Sequence, residues 1–263
     1  MNTVLILFII MGWAAGLFTN YAADVLPKMR RFVRPYCQHC EAPYTWADYM
    51  TMRSCRSCDT PRGVRTWIVQ FAMVALFVYF AMNPPKALSL PLTLIVVTYF
   101  AVLFVIDLEH RLILFSTSLF GAGLGLIVGI YIYTQALKMP LFSALGLSLF
   151  GGVIGFGVMF LFYQMGVLFN RYRARRMQSV EQEDDGEEAL GGGDVYLAAV
   201  LGLMLGSRFI LTALVYGILL GGLVGLALLV VFQFNKAPRQ PLMTFIPYGP
   251  FLIAGAFYVL FLN

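Results

Sequence analysis

Sixty per cent of the 263 residues are hydrophobic and 12% are charged, with mean hydropathy +0.80. That composition excludes a soluble globular core and points to an all-α polytopic membrane protein. The net charge of +5 calls for no nucleic-acid partner, because its placement along the chain reads as a topology signal.

In chain order, the first apolar run is Thr3–Ala23. No basic residue precedes it, unlike a cleaved signal peptide, so it is expected to be a retained anchor with its N-terminus outside. A polar segment follows over 24–65. Seven further spans are expected at Thr66–Met82, Ala87–Ile106, Ser116–Ala136, Leu141–Phe169, Val195–Gly206, Phe209–Phe234 and Phe245–Leu262. Each approaches the roughly 20 apolar residues that cross a bilayer, except the sixth. The break at Gly206-Ser207-Arg208 is placed there because Arg208 is costly in mid-bilayer. About eight transmembrane helices result. The domain division expected is 1–23 as first anchor, 24–65 as a cysteine-bearing insertion, and 66–263 as a seven-helix domain with a polar loop at 170–193.

Lys and Arg are divided unequally between the two sides. Segment 24–65, Arg111, Arg171, Arg173, Arg175, Arg176, Lys236 and Arg239 fall on one side. Lys86, Lys138 and Arg208 alone fall on the other. The basic side is cytoplasmic by the positive-inside rule. Small residues four apart (Gly121/Gly125, Gly151/Gly155, Gly202/Gly206 and Gly217/Gly221) suit close helix packing within the chain.

All four cysteines lie in 24–65, as Cys37-x-x-Cys40 and Cys55-x-x-Cys58 with 14 residues between the pairs. Two such knuckles bring four thiolates to one tetrahedral zinc. Disulfides are the rival reading, and the cytoplasmic placement opposes them. A set of four cysteines leaves no open coordination position, so the zinc expected here is structural. His39, inside the first knuckle, is expected on the surface.

Two carboxylates mark a functional site. Asp107 ends the run YFAVLFVID, and Asp194 closes GGGD ahead of VYLAAVLGLMLG. Charge places both at the cytoplasmic boundary. A carboxylate at the end of a membrane helix is costly to desolvate. Two that approach each other share one proton, so that one acts as general base on water while its partner polarises a carbonyl. Gly191, Gly192 and Gly193 let the backbone approach an extended ligand and adopt positive φ. The plainer reading of this stretch is a helix start with an Asp cap.

The GGGD of 191–194 resembles the GxGD signature of intramembrane-type aspartic proteases, and the whole chain is similar to type IV prepilin peptidases. The resemblance is carried by Asn20 and Pro27 in GLFTNYAADVLP, the double C-x2-C, Asp107 in VIDLEHRLI, Asp194 in EALGGGDVYLAAVLG, and IPYGPFLIAGA at 246–256. It implies cleavage of short basic leaders from prepilin or pseudopilin precursors at the cytoplasmic face of the inner membrane. Asp107 and Asp194 are then catalytic. Pro247 and Gly249 border the substrate groove or simply open the last helix. The strip Gly191, Gly192 and Gly193 lies against the extended substrate, and Glu109 is expected beside its basic leader by charge complementarity. Membrane lipid surrounds the protein. Many members also methylate the new N-terminus with S-adenosylmethionine. Against the family pattern, Tyr196 stands where a lysine is common, Leu112–Phe115 replaces an Ile-Pro-Asp-like turn, and Gln70 stands near a usual glutamate. Methylation therefore stays open.

The acidic run Glu181–Glu188 reads as a solvated loop, or as a holder of a basic leader with Glu109 assisting. The rival to an enzyme is a non-catalytic scaffold or an ion-coupled transporter using Asp107 and Asp194. Transporters, however, place such groups near the midplane between inverted repeats, and neither feature is visible in the sequence.

Overall fold

The computed structural model describes residues 2–177, 191–234 and 247–262. The acidic run at 181–188, Lys236, Arg239 and the first residues of the expected last span lie outside them. The described residues are helical, with no strand; one isolated bridge joins Tyr36 and Pro43. The helices are α1 Asn2–Met29, α2 Trp46–Met50, α3 Val64–Met82, α4 Leu90–His110, α5 Phe115–Tyr131, α6 Leu141–Met177, α7 Gly192–Phe234 and α8 Gly249–Phe261. Six of them are long and apolar enough to cross a membrane. The chain divides into two compact units, Met1–Ser116 and Thr117–Asn263.

In the first unit, α1 packs on α3 and α4. The face α3 buries runs Thr66, Gln70, Met73, Phe77 and Phe80, a repeat of four and three residues that makes one stripe along a helix. The charged boundaries differ from the expected spans. α1 continues past Ala23 through Asp24 to Met29. α4 continues past Ile106, so Asp107 sits within its last turn and not beyond it. Both helices stop in the same way. Arg30 (φ 53°) and Arg111 (φ 50°) turn left-handed, and their N–H groups close back on the Leu26 and Asp107 carbonyls at 2.9 Å, a common helix stop.

In the second unit α7 packs on α6 and α8. Gly151 and Gly202 let α6 and α7 touch backbone to backbone: a Cβ on Gly202 would lie 2.2 Å from the Gly151 carbonyl oxygen. The expected break in α7 is present at Gly206, whose φ of 67° and ψ of 178° interrupt the helix. A single π-helical turn at Ile132–Ala136 carries fully buried Tyr133 to this break. The Tyr133 hydroxyl donates to the Leu205 carbonyl at 3.3 Å and accepts the Arg208 N–H at 3.4 Å. Backbone groups freed by a kink in lipid need such partners. The last expected span is shorter than anticipated over the described residues, since α8 has 13 residues against the roughly 20 a full crossing takes.

Gly206 tolerates no side chain, because its φ suits only glycine and an added Cβ would lie 2.3 Å from the Tyr133 ring. Gly206→Ala is expected to destabilise the protein by about 1–3 kcal/mol, read as a lower thermal midpoint in detergent. An unchanged midpoint would show that the kink is dispensable.

Candidate active site and metal centre

Each cysteine knuckle is built the same way. In the first, the Cys37 N–H bonds the Ala42 carbonyl and the Glu41 N–H bonds the Cys37 carbonyl. In the second, the Cys55 N–H bonds the Thr60 carbonyl and the Asp59 N–H bonds the Cys55 carbonyl. Glu41 (φ 58°) and Asp59 (φ 53°) complete both turns left-handed. This repeated turn folds each pair of sulfurs to one side.

The four sulfurs lie within 4.8 Å of one another, with Cys37 Sγ–Cys58 Sγ at 3.7 Å and Cys40 Sγ–Cys55 Sγ at 3.5 Å. A tetrahedron with zinc–sulfur bonds of about 2.3 Å has sulfur–sulfur edges of about 3.8 Å, whereas a disulfide needs about 2.05 Å. The geometry fits a four-thiolate metal centre, and all four cysteines are free. Burial disfavours the Cys37 thiolate, but the N–H groups of Cys40 and His39 outweigh it and hold the thiol at about 6. The Ala42 N–H favours a Cys40 thiolate, yet the neighbouring Cys58 sulfur pushes it up to about 12. Four adjacent sulfurs do not ionise together without a cation among them.

The surrounding segment has little apolar core of its own. Tyr44 and Tyr49 pack on Cys37 and Cys55. The Arg62 guanidinium lies over both rings, 4.1 Å from the Tyr44 centroid and 4.4 Å from that of Tyr49. A cation on desolvated aromatic faces contributes about 1–2 kcal/mol. His39 is exposed, as expected.

Asp107 and Asp194 are both buried, 5% and 7% exposed. Asp107 projects from the last turn of α4. Asp194 stands in the first turn of α7, its N–H bonded to the Gly191 carbonyl at 3.0 Å, where a helix N-terminus favours negative charge. The expected positive φ of the glycine strip is absent. Gly206 is the one glycine with positive φ among the described residues, because Gly192 and Gly193 already belong to the first turn of α7. A Cβ on Gly191 or Gly192 would meet nothing within 4 Å among the described residues. The charge of Asp194 acts on the Tyr248 phenol. Tyr248 stands between Pro247 and Gly249, so the start of α8 is within electrostatic reach of Asp194.

Two features of the first unit were not anticipated. Asp24, 5% exposed, is the centre of a buried network that includes Arg65 and Asn20. Glu109, expected at the substrate, is paired with Arg65 Nε at 2.9 Å. The desolvation argument applied to Asp107 also applies to Asp24, which directly follows the first apolar run. Gln70 is fully buried and donates to the Trp13 carbonyl at 2.6 Å, joining α3 to α1.

The profile of the type IV leader peptidase family matches residues 94–226, half of the chain, and this stretch contains both aspartates. The chain belongs to that family. Its curated relatives include a prepilin leader peptidase/N-methyltransferase of Myxococcus xanthus, 28% identical over 84% of this chain and 62% of the relative. Proteins of the same name from Aeromonas hydrophila and Legionella pneumophila are 26% and 25% identical over 84% and 89% of this chain, and 69% and 74% of theirs. The chain thus spans between three-fifths and three-quarters of the length of these relatives. No solved structure matches it significantly. With six membrane-length apolar helices, this leader peptidase family member is a multi-pass membrane protein.

Proposed function

We infer that this family member is an aspartic endopeptidase that removes a short basic leader from prepilin or pseudopilin precursors. The observation that carries this reading is a pair of buried carboxylates, Asp107 and Asp194, at helix ends inside the family-matched stretch. One carboxylate takes a proton from water as the oxygen attacks the scissile carbonyl. The other, protonated, hydrogen-bonds the carbonyl oxygen, and the proton passes to the departing amine. The pair titrates as a unit, so neither aspartate has a fixed role. Gly191–Gly193, Pro247 and Gly249 border the extended leader.

Fifteen of the 18 basic residues on one side support an inner-membrane protein with its site at the cytoplasmic boundary, where water is available. The precursor's apolar helix then lies in the bilayer beside the enzyme. The cysteine segment holds a structural zinc, which would tie together a segment too small to fold on its own core.

The decisive experiment incubates the purified protein with a pilin-like precursor and determines the masses of both products. Cleavage at the leader junction is expected; binding without cleavage would mean a scaffold. Adding labelled S-adenosylmethionine to the same reaction tests methylation, the second activity in the relatives' names. In a further test, neutralising Glu181, Glu183, Asp184 and Asp185 should raise KM for a basic leader, most at low salt. An unchanged KM at low salt would remove that loop from substrate binding.

A further inference from the structure

Three charged side chains of the first unit, Asp24, Arg65 and Glu109, run in series from the cysteine segment to the last turn of α4. Asp24 Oδ1 accepts Gln38 Nε2 at 2.9 Å and a terminal nitrogen of Arg65. Its Oδ2 accepts the Tyr49 hydroxyl at 3.1 Å, and its backbone carbonyl accepts the Tyr36 hydroxyl at 3.1 Å. Apart from Arg65, which lies on α3, these partners lie within 36–49, around and between the cysteine knuckles. Tyr36 and Gln38 flank Cys37, and Tyr49 packs on Cys37 and Cys55.

On its other edge, Arg65 gives Nε to Glu109 at 2.9 Å. The second terminal nitrogen is 3.4 Å from Asn20 Oδ1, and Asn20 in turn donates to the Thr66 carbonyl at 3.1 Å. Glu109 is two residues from Asp107 on the same helical turn, and that turn is closed by the Arg111 N–H on the Asp107 carbonyl.

A guanidinium offers donors on three nitrogens in a fixed plane, so one Arg can hold two acids at once; a lysine, with one compact ammonium, does not reproduce that rigid, spread-out geometry. A pair needed only for stability would be complete with Asp24 and Arg65. The added link to Glu109 carries the constraint to the turn that bears Asp107. We propose that Arg65 is a positioning residue, which anchors the Asp107 turn of α4 to the cysteine segment through Glu109 on one side and Asp24 on the other. This rests on the reading of Asp107 as catalytic. It also assigns Glu109 to Arg65 and not to the leader. Because coupling is reciprocal, whatever loosens Asp24 from Arg65 also loosens the metal-binding segment.

The test uses the full-length protein as wild type, R65M, R65K and E109Q. It reads kcat and KM on a pilin-like precursor, and the rate at which zinc passes to a chromogenic chelator. E109Q takes the charge out of the link to α4 and leaves the Asp24–Arg65 link intact. It should lower kcat about 10- to 100-fold, the scale of a misplaced catalytic group, with KM and zinc release unchanged. R65K keeps a charge for Asp24 and should match E109Q in kcat while releasing zinc as the wild type does. R65M cuts both links, and should lower kcat and speed zinc release several-fold.

A raised KM with unchanged kcat in E109Q would put Glu109 against the leader and overturn the proposal. So would wild-type zinc release in R65M. Should R65M fail to fold, the split between kcat and KM in E109Q, whose side chain is one-third exposed, decides alone. If Asp107→Asn still cleaves, the reading of Asp107 as catalytic fails, and the zinc-release arm continues to report on the network.

Discussion

Substitution of either Asp107 or Asp194 by asparagine is expected to lower kcat for precursor cleavage by at least about 10³-fold, the scale of general acid–base catalysis. That is about 4 kcal/mol of transition-state stabilisation. Asparagine keeps the size and some of the hydrogen bonding but neither takes the proton from water nor carries one to the carbonyl. The expectation for stability has the opposite sense. Both carboxylates are almost fully buried, and a neutral amide relieves the desolvation of charge that burial imposes. Thermal midpoints of the two variants should therefore equal or slightly exceed the wild-type value, as at sites where stability has been given up for activity. Equal inactivity of the single and double variants would complete the case for a pair acting as a unit. Retained cleavage in either single variant would refute the shared-proton mechanism.

Removal of metal is expected to have the second large effect. Structural zinc contributes about 10–16 kcal/mol of apparent folding free energy in small zinc modules. The segment holding Cys37, Cys40, Cys55 and Cys58 has only a few aromatic side chains to replace it. Purified protein should carry one zinc per chain, and Cys37→Ser should abolish it. Chelation should make all four thiols available to alkylation and open the segment 36–60 to protease. Recovery of a Cys37–Cys58 or Cys40–Cys55 disulfide from native protein under non-reducing conditions would instead favour the cross-linked alternative. The sulfur separations of 3.5–3.7 Å argue against that outcome.

These effects sit at places that differed in how well the sequence revealed them. The helices were legible because a bilayer-length apolar run has few alternatives. Even the break in α7 was legible, since Arg208 is costly in the middle of one uninterrupted span. The cysteine spacing was legible because two knuckles of identical chemistry imply one tetrahedral site. Helix ends were read short at Asp24 and Asp107. A charged residue was taken as the end of an apolar run, whereas each lies within its helix and is buried there. A chain's hydropathy records the cost of burying a carboxylate but not the partners that offset it.

Sequence by itself therefore determined the membrane-helical architecture and the gathering of the four thiols. Those features follow from local composition and short spacings. Tertiary structure alone decided that Arg65 joins Asp24 to Glu109, and that Tyr133 fills the kink at Gly206. In each case the partners lie tens of residues apart in the chain and meet only because packed helices bring them within hydrogen-bonding reach.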